Sequence, residues 1–141
     1  MIVVDASLAA KWIFWEEQSE QALAFWNEHA GNLSAPDLIA LEVTGAIARR
    51  ANADKALKEA MSEALGLWAR LMSGVQLQQW RMTTNRVLRA GRLAMSLGHP
   101  VKDCVYLDLA MELDCPLMTC DANFTKKARN VFDRVQLLGD Y

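Results

Sequence analysis

The chain has 141 residues, a formal net charge of −2, 52% hydrophobic residues and 23% charged residues. That length is typical of one domain, and the apolar content excludes a disordered chain. A weakly acidic balance argues against a nonspecific nucleic-acid coat, which is usually basic, and no apolar run is long or clean enough to cross a bilayer.

The first apolar run, MIVVDASLAAKWIFW, is broken by Asp5 and Lys11 and lacks the basic start of a secretory signal. Cys104, Cys115 and Cys120 are odd in number and match no zinc-finger spacing, so structural thiols in a reducing compartment are expected. The expected location is the cytoplasm. No linker, repeat or low-complexity tract interrupts the chain, and a single domain over 1–141 is expected.

Residues 2–5 (IVVD) are a short β-branched run ending in an acid, and predict a buried strand. A helix is expected over 6–14, and another over 19–30 with Ser19 as its N-cap and Gly31 as its stop. Its apolar face carries Ala22, Phe25 and Trp26. After a short connector or strand at 32–35, Pro36 is expected to open a helix that turns Leu38, Leu41, Val43 and Ile47 to the core.

Residues 54–73 predict one long helix ending near Gly74. The alternation in VQLQQW (75–80) predicts a half-buried strand. Thr83 or Thr84 should cap a helix running to Leu97, stopped by Gly98. A helix over 101–114, a strand over 116–119, a short helix over 122–130 and a last strand over 131–138 complete the chain. This alternation predicts an α/β fold, a mostly parallel central sheet with helices on both faces. Its ligand site should lie beyond the carboxyl ends of the strands.

Seventeen acids are present, so placement must single out the useful ones. Asp5 and Asp121 each follow a predicted strand and face the same crevice. Two close carboxylates repel, and hard cations such as magnesium seek such oxygen clusters. Glu42 lies beside the apolar stripe of its helix, where an unpartnered carboxylate is costly. A metal, Arg49 or Arg50 would relieve that cost. Asp103, in the first turn after His99-Pro100, also fits simple helix capping. His99 itself is expected to shape that turn.

These segments resemble PIN-domain ribonucleases, especially the VapC-type toxins of toxin–antitoxin pairs. The opening VVDASLAAKW, then APDLIALEVTGAIAR, then HPVKDCVYLDLAMELDCPLMTCDANF resemble the family's motifs in order. The middle, roughly 54–95, matches only in helical character. The resemblance implies a PIN-like fold and a divalent-metal endoribonuclease using Mg²⁺ or Mn²⁺. Asp5, Glu42, Asp103 and Asp121 become its catalytic and metal-binding carboxylates. Ser7, Thr119 and Asn123 are expected to support them.

The resemblance also implies an RNA substrate, a cognate antitoxin and a homodimer. Lys11, Arg49 and Lys102 are expected at the RNA rim, with Arg50, Lys126 and Lys127 as further candidates by closeness in sequence. Asp108 departs from the family's pattern of a small or apolar residue. It lies about 140° around the helix from Asp103 and is expected on the surface or facing a partner. The five tryptophans fit core, interface or base stacking, with core or antitoxin contact favoured for Trp12 and Trp15.

Two other classes remain to be weighed. One is a catalytically inactive PIN-like module that binds RNA or protein. The other is a phosphatase or nucleotide-binding α/β protein. The latter would want a second Asp where Ser7 stands, or a glycine-rich turn that DASLAA lacks.

Overall fold

The computed structural model describes residues 1–141. Five short strands form one sheet: β1 (Ile2–Val4), β2 (Leu33–Pro36), β3 (Leu77–Trp80), β4 (Leu117–Thr119) and β5 (Val135–Leu137). Their order is β3-β2-β1-β4-β5 and every neighbouring pair is parallel. The sheet is therefore wholly parallel. Seven helices connect the strands: α1 (Ala6–Ile13), α2 (Ser19–Glu28), α3 (Leu38–Ala53), α4 (Lys58–Ser73), α5 (Thr84–Leu97), α6 (Val101–Glu112) and α7 (Ala122–Ala128).

The strand order decides where the site lies. From β1 the chain moves outward through β2 to β3, then returns across β1 to place β4 on its other side. Right-handed crossovers put α1–α4 on one face and α5–α7 on the other. Direction reverses between β1 and β4, so their carboxyl ends open a crevice that no connection crosses. Asp5 follows β1 directly and Asp121 stands two residues past the end of β4.

The core fills both faces. Leu8, Phe25, Ile39, Ile47, Trp68, Leu107 and Phe124 are fully buried, and α6 is buried along the continuous run Cys104–Ala110. Trp12 packs edge-on against Trp26 at 4.5 Å and donates its ring N–H to the Ala22 carbonyl at 3.0 Å. It belongs to the core, whereas Trp15 is exposed.

Several boundaries differ from expectation for identifiable reasons. Ser19 is not the N-cap of α2; that residue is Gln18, in the left-handed region at φ 67°. The Ser19 hydroxyl instead donates to the Phe14 carbonyl and accepts from the Glu16 N–H, which closes the α1–α2 turn. Pro36 ends β2 opposite Trp80, and α3 starts two residues later. Leu41 is 71% exposed, because the buried row of α3 is Ile39, Val43 and Ile47. The long helix expected at 54–73 is a 3₁₀ turn, Lys55–Leu57, followed by α4; the Asp54 side chain accepts from the Ala56 N–H.

Asp108 is a further correction. It points away from the crevice, as its helical angle requires, but it is buried rather than on the surface. Arg89 of α5 meets it with two parallel bonds, at 2.8 and 2.9 Å. Arg89 also bonds Glu112, which in turn is bonded by Arg86. A buried carboxylate held by one bidentate guanidinium is costly to strip. Arg89→Ala should lower stability by about 2 kcal/mol in urea denaturation, because Arg89 is half-exposed and the loss falls short of that for a fully buried pair. Adding Asp108→Asn should recover part of it.

Candidate active site

Asp5, Glu42, Asp103 and Asp121 line one cleft of about 270 Å³ at the carboxyl edge of the sheet. They come from four separate elements, the ends of β1 and β4 and the bodies of α3 and α6. Arg49 and Lys102 line the same cleft.

Asp5 is the most constrained of the four. Its side chain N-caps α1 by accepting from the Leu8 N–H at 3.1 Å. The Ser7 hydroxyl donates to the same oxygen at 2.6 Å, and the Thr119 hydroxyl donates to the other oxygen at 2.5 Å. Each hydroxyl proton is thereby used, so the 3.3 Å approach of Ser7 to Thr119 carries no proton of its own. Both oxygens instead accept backbone N–H groups, Cys120 onto Ser7 and Asp121 onto Thr119. Burial pushes the Asp5 carboxyl up to about 6 against these bonds, with a smaller push from the charge of Asp103.

Glu42 lies three residues after Ile39, at the edge of the buried row of α3. The hydroxyl of Tyr106 donates to its Oε2, and Lys102 lies 3.7 Å from its Oε1. Tyr106 and Lys102, rather than Arg49 or Arg50, thus meet this carboxylate. Desolvation and the bond to Glu42 hold the Tyr106 phenol well above its ordinary range, so it stays a donor. Asp103 occupies the first turn of α6, and His99 meets its Oδ2 at 2.7 Å. Asp121 N-caps α7 by accepting from the Phe124 N–H at 2.8 Å. Atoms of His99, Asp103 and Asp121 lie within 4.8 Å of one another.

The flanking residues divide. Ser7 and Thr119 both touch Asp5. Asn123 does not support Asp121: it is exposed on the first turn of α7 without a side-chain hydrogen bond, and the Phe124 N–H takes that role. Lys11 turns from the cleft to Glu16 at 3.3 Å and the Glu17 carbonyl at 2.8 Å. Arg50 pairs with the same Glu16 and lies over the Phe14 ring. Lys127 bonds the Gly98 carbonyl at 2.8 Å. Burial pushes the Cys120 thiol up to about 12 and the Cys104 thiol to about 11, which removes both as nucleophiles.

Two residues at the site escaped the sequence reading, His99 and Tyr106. Their spacing was the available signal. His99 is four residues before Asp103, just ahead of the N-cap of α6, and Tyr106 is three after it, on its side of that helix.

The four carboxylates form an oxygen-rich cleft at the reversal point of a parallel sheet, a donor set compatible with a hard divalent cation. The chain belongs to the PIN domain family, whose match spans residues 2–130. That family uses divalent metals, and the oxygen-rich donor set here fits a hard cation. The fold is similar to that of the sarcin-ricin-loop-cleaving toxin VapC20 of Mycobacterium tuberculosis, with a TM-score of 0.75 at 13% identity over 89% of this chain and 94% of that one. It is similar to the Pyrobaculum aerophilum protein PAE2754, with 0.71 at 18% identity over 99% and 90%. A toxin–antitoxin complex from Klebsiella pneumoniae gives 0.63 at 14% identity over 98% of both chains. No curated protein matches the sequence significantly.

The upward shift of the Asp5 carboxyl pKa has a sign that can be measured. Its ordinary value is 3.8 and its folded value about 6, so folding takes up a proton between them. The contribution of Asp5 to stability is intact below pH 4 and is lost as pH rises through about 6. Asp5→Asn should therefore raise the melting temperature in chelator at pH 7.5 by on the order of 5 °C. At pH 4 the variant and the parent should melt together.

Proposed function

We propose that this protein is a divalent-metal-dependent endoribonuclease and the toxin of a type II toxin–antitoxin pair. The observation that carries the reading is the convergence of Asp5, Glu42, Asp103 and Asp121 on one cleft, with Arg49 and Lys102 beside them. Mg²⁺ or Mn²⁺ is the proposed ion, held by carboxylate oxygens still free of protein partners, such as Asp103 Oδ1 and Asp121 Oδ2.

A bound divalent ion supplies Lewis acidity toward a phosphate oxygen and toward the attacking water. The residues supply placement. Asp5 is locked by three donors and keeps its carboxylate in one orientation. Lys102, 64% exposed, can swing from Glu42 to a phosphate oxygen. Arg49 offers a forked guanidinium at the same rim. Phosphate contacts of this kind position RNA without reading its sequence.

The proposed partners are an RNA substrate, a cognate antitoxin, as in the Klebsiella complex, and a second copy of the chain. No helix is long and apolar enough to cross a membrane, and the proposed place of action is the cytoplasm.

The test is Mn²⁺ binding followed by electron paramagnetic resonance, then cleavage of structured RNA. The parent should bind Mn²⁺, and Asp103→Asn and Asp121→Asn should each weaken binding at least about 10-fold. Chelator should stop cleavage and Mg²⁺ or Mn²⁺ should restore it. RNA binding without cleavage, and without Mn²⁺ affinity, would instead establish an inactive binding module.

A further inference from the structure

We infer that His99 is a positioning residue of the metal site: it holds Asp103 through one oxygen and ties that acid to the helix that Asp121 caps. The inference rests on the functional reading above, and goes beyond it in assigning a role to a residue outside the carboxylate set.

The geometry leaves His99 little freedom. Gly98 stops α5 in the left-handed region at φ 61°, and the His99 N–H returns to the Ala94 carbonyl at 3.1 Å. Lys127 of α7 holds the Gly98 carbonyl. Pro100 then fixes the entry to α6. The imidazole is only 5% exposed. It stacks on Phe124, with ring centroids 4.7 Å apart and planes 23° from parallel. Phe124 is the residue whose N–H Asp121 caps. One ring thus touches Asp103 at its edge and the first turn of α7 at its face.

The partners assign the proton. Nε2 meets the Asp103 carboxylate, while Nδ1 is buried with no partner. A buried N–H without an acceptor costs more than a bare lone pair in a ring, so the hydrogen sits on Nε2 and is donated to Asp103 Oδ2. Oδ1 is left for a cation. Hydrogen bonds from outside the ligand set commonly orient carboxylate ligands in this way. Turn-shaping alone would be met by the backbone and would not require a buried imidazole aimed at an acid.

The experiment measures Mn²⁺ affinity by titration and paramagnetic resonance on the full chain. The variants are His99→Phe, His99→Leu, His99→Gln, Asp103→Asn and the double His99→Phe/Asp103→Asn, with circular dichroism in chelator to establish folding. Phe keeps the stack on Phe124 without a donor, and Gln brings an amide N–H to the position of Nε2. His99→Phe and His99→Leu should weaken Mn²⁺ binding about 10- to 100-fold. His99→Gln should stay within about 3-fold of the parent, since its amide N–H can replace the Nε2–H donor to Asp103. The double variant should bind no more weakly than Asp103→Asn, because His99 acts through that carboxylate.

Parent-like affinity in folded His99→Phe would overturn the inference. So would His99→Gln binding as weakly as His99→Phe, or a nitrogen hyperfine coupling that makes the imidazole a ligand. Those results leave the metal site standing, provided Asp103→Asn still weakens binding. A parent that binds no Mn²⁺ overturns the site and this inference together.

Discussion

The site depends on a clasp between two parallel strands. Asp5 leaves β1 and Thr119 ends β4, and the Asp5 carboxylate is held by the hydroxyls of Thr119 and Ser7 together. Those hydroxyls pass the order outward by accepting the N–H groups of Cys120 and Asp121. The same carboxylate caps α1. A single buried charge therefore sets the spacing of β1 and β4, the start of α1 and the chain direction into α7. Apolar packing alone could hold the strands together, but it would not aim four carboxylates into one cleft.

The remaining acids follow a common pattern. Each carboxylate is held by protein donors: Tyr106 for Glu42, His99 for Asp103, the Phe124 N–H for Asp121. Hydrogen bonds of this kind stabilise the charged form and offset part of the repulsion among neighbours. They also leave Asp103 and Asp121 one oxygen each toward the cleft. Asp5 is the exception, with both oxygens engaged and the strongest burial. There burial outweighs even three hydrogen bonds and holds the carboxyl up to about 6.

The strand-terminal acids were legible in the sequence because the argument needs only alternation and position. A β-branched run followed by an acid, in a chain of alternating strands and helices, already places Asp5 and Asp121 on one edge. The phase of α3 was harder. Leu38, Ile39, Leu41 and Val43 offer two apolar rows, and only the row through Ile39, Val43 and Ile47 continues for more than two turns. Leu41 lies about 200° from Ile39 and falls on the outside. Lys11 and Arg50 lie close to the motifs in sequence, yet Glu16 draws both away. The burial of Asp108 was illegible because it depends on Arg89, brought to it only by the packing of α5; for His99 the spacing to Asp103 was visible, but its stack on Phe124 depends on the packing of α7.

Those two residues also explain why α6 can be buried along most of its length and still carry polar chemistry. Asp103 and Tyr106 project from one side of α6 toward the cleft, and Asp108 projects from another toward α5. The Arg89–Asp108 pair fastens α5 across α6, with Arg86 and Glu112 extending the contact to the surface. The turn joining those helices is Gly98-His99-Pro100. Fastening α5 to α6 therefore fixes both ends of the segment that presents His99 to Asp103.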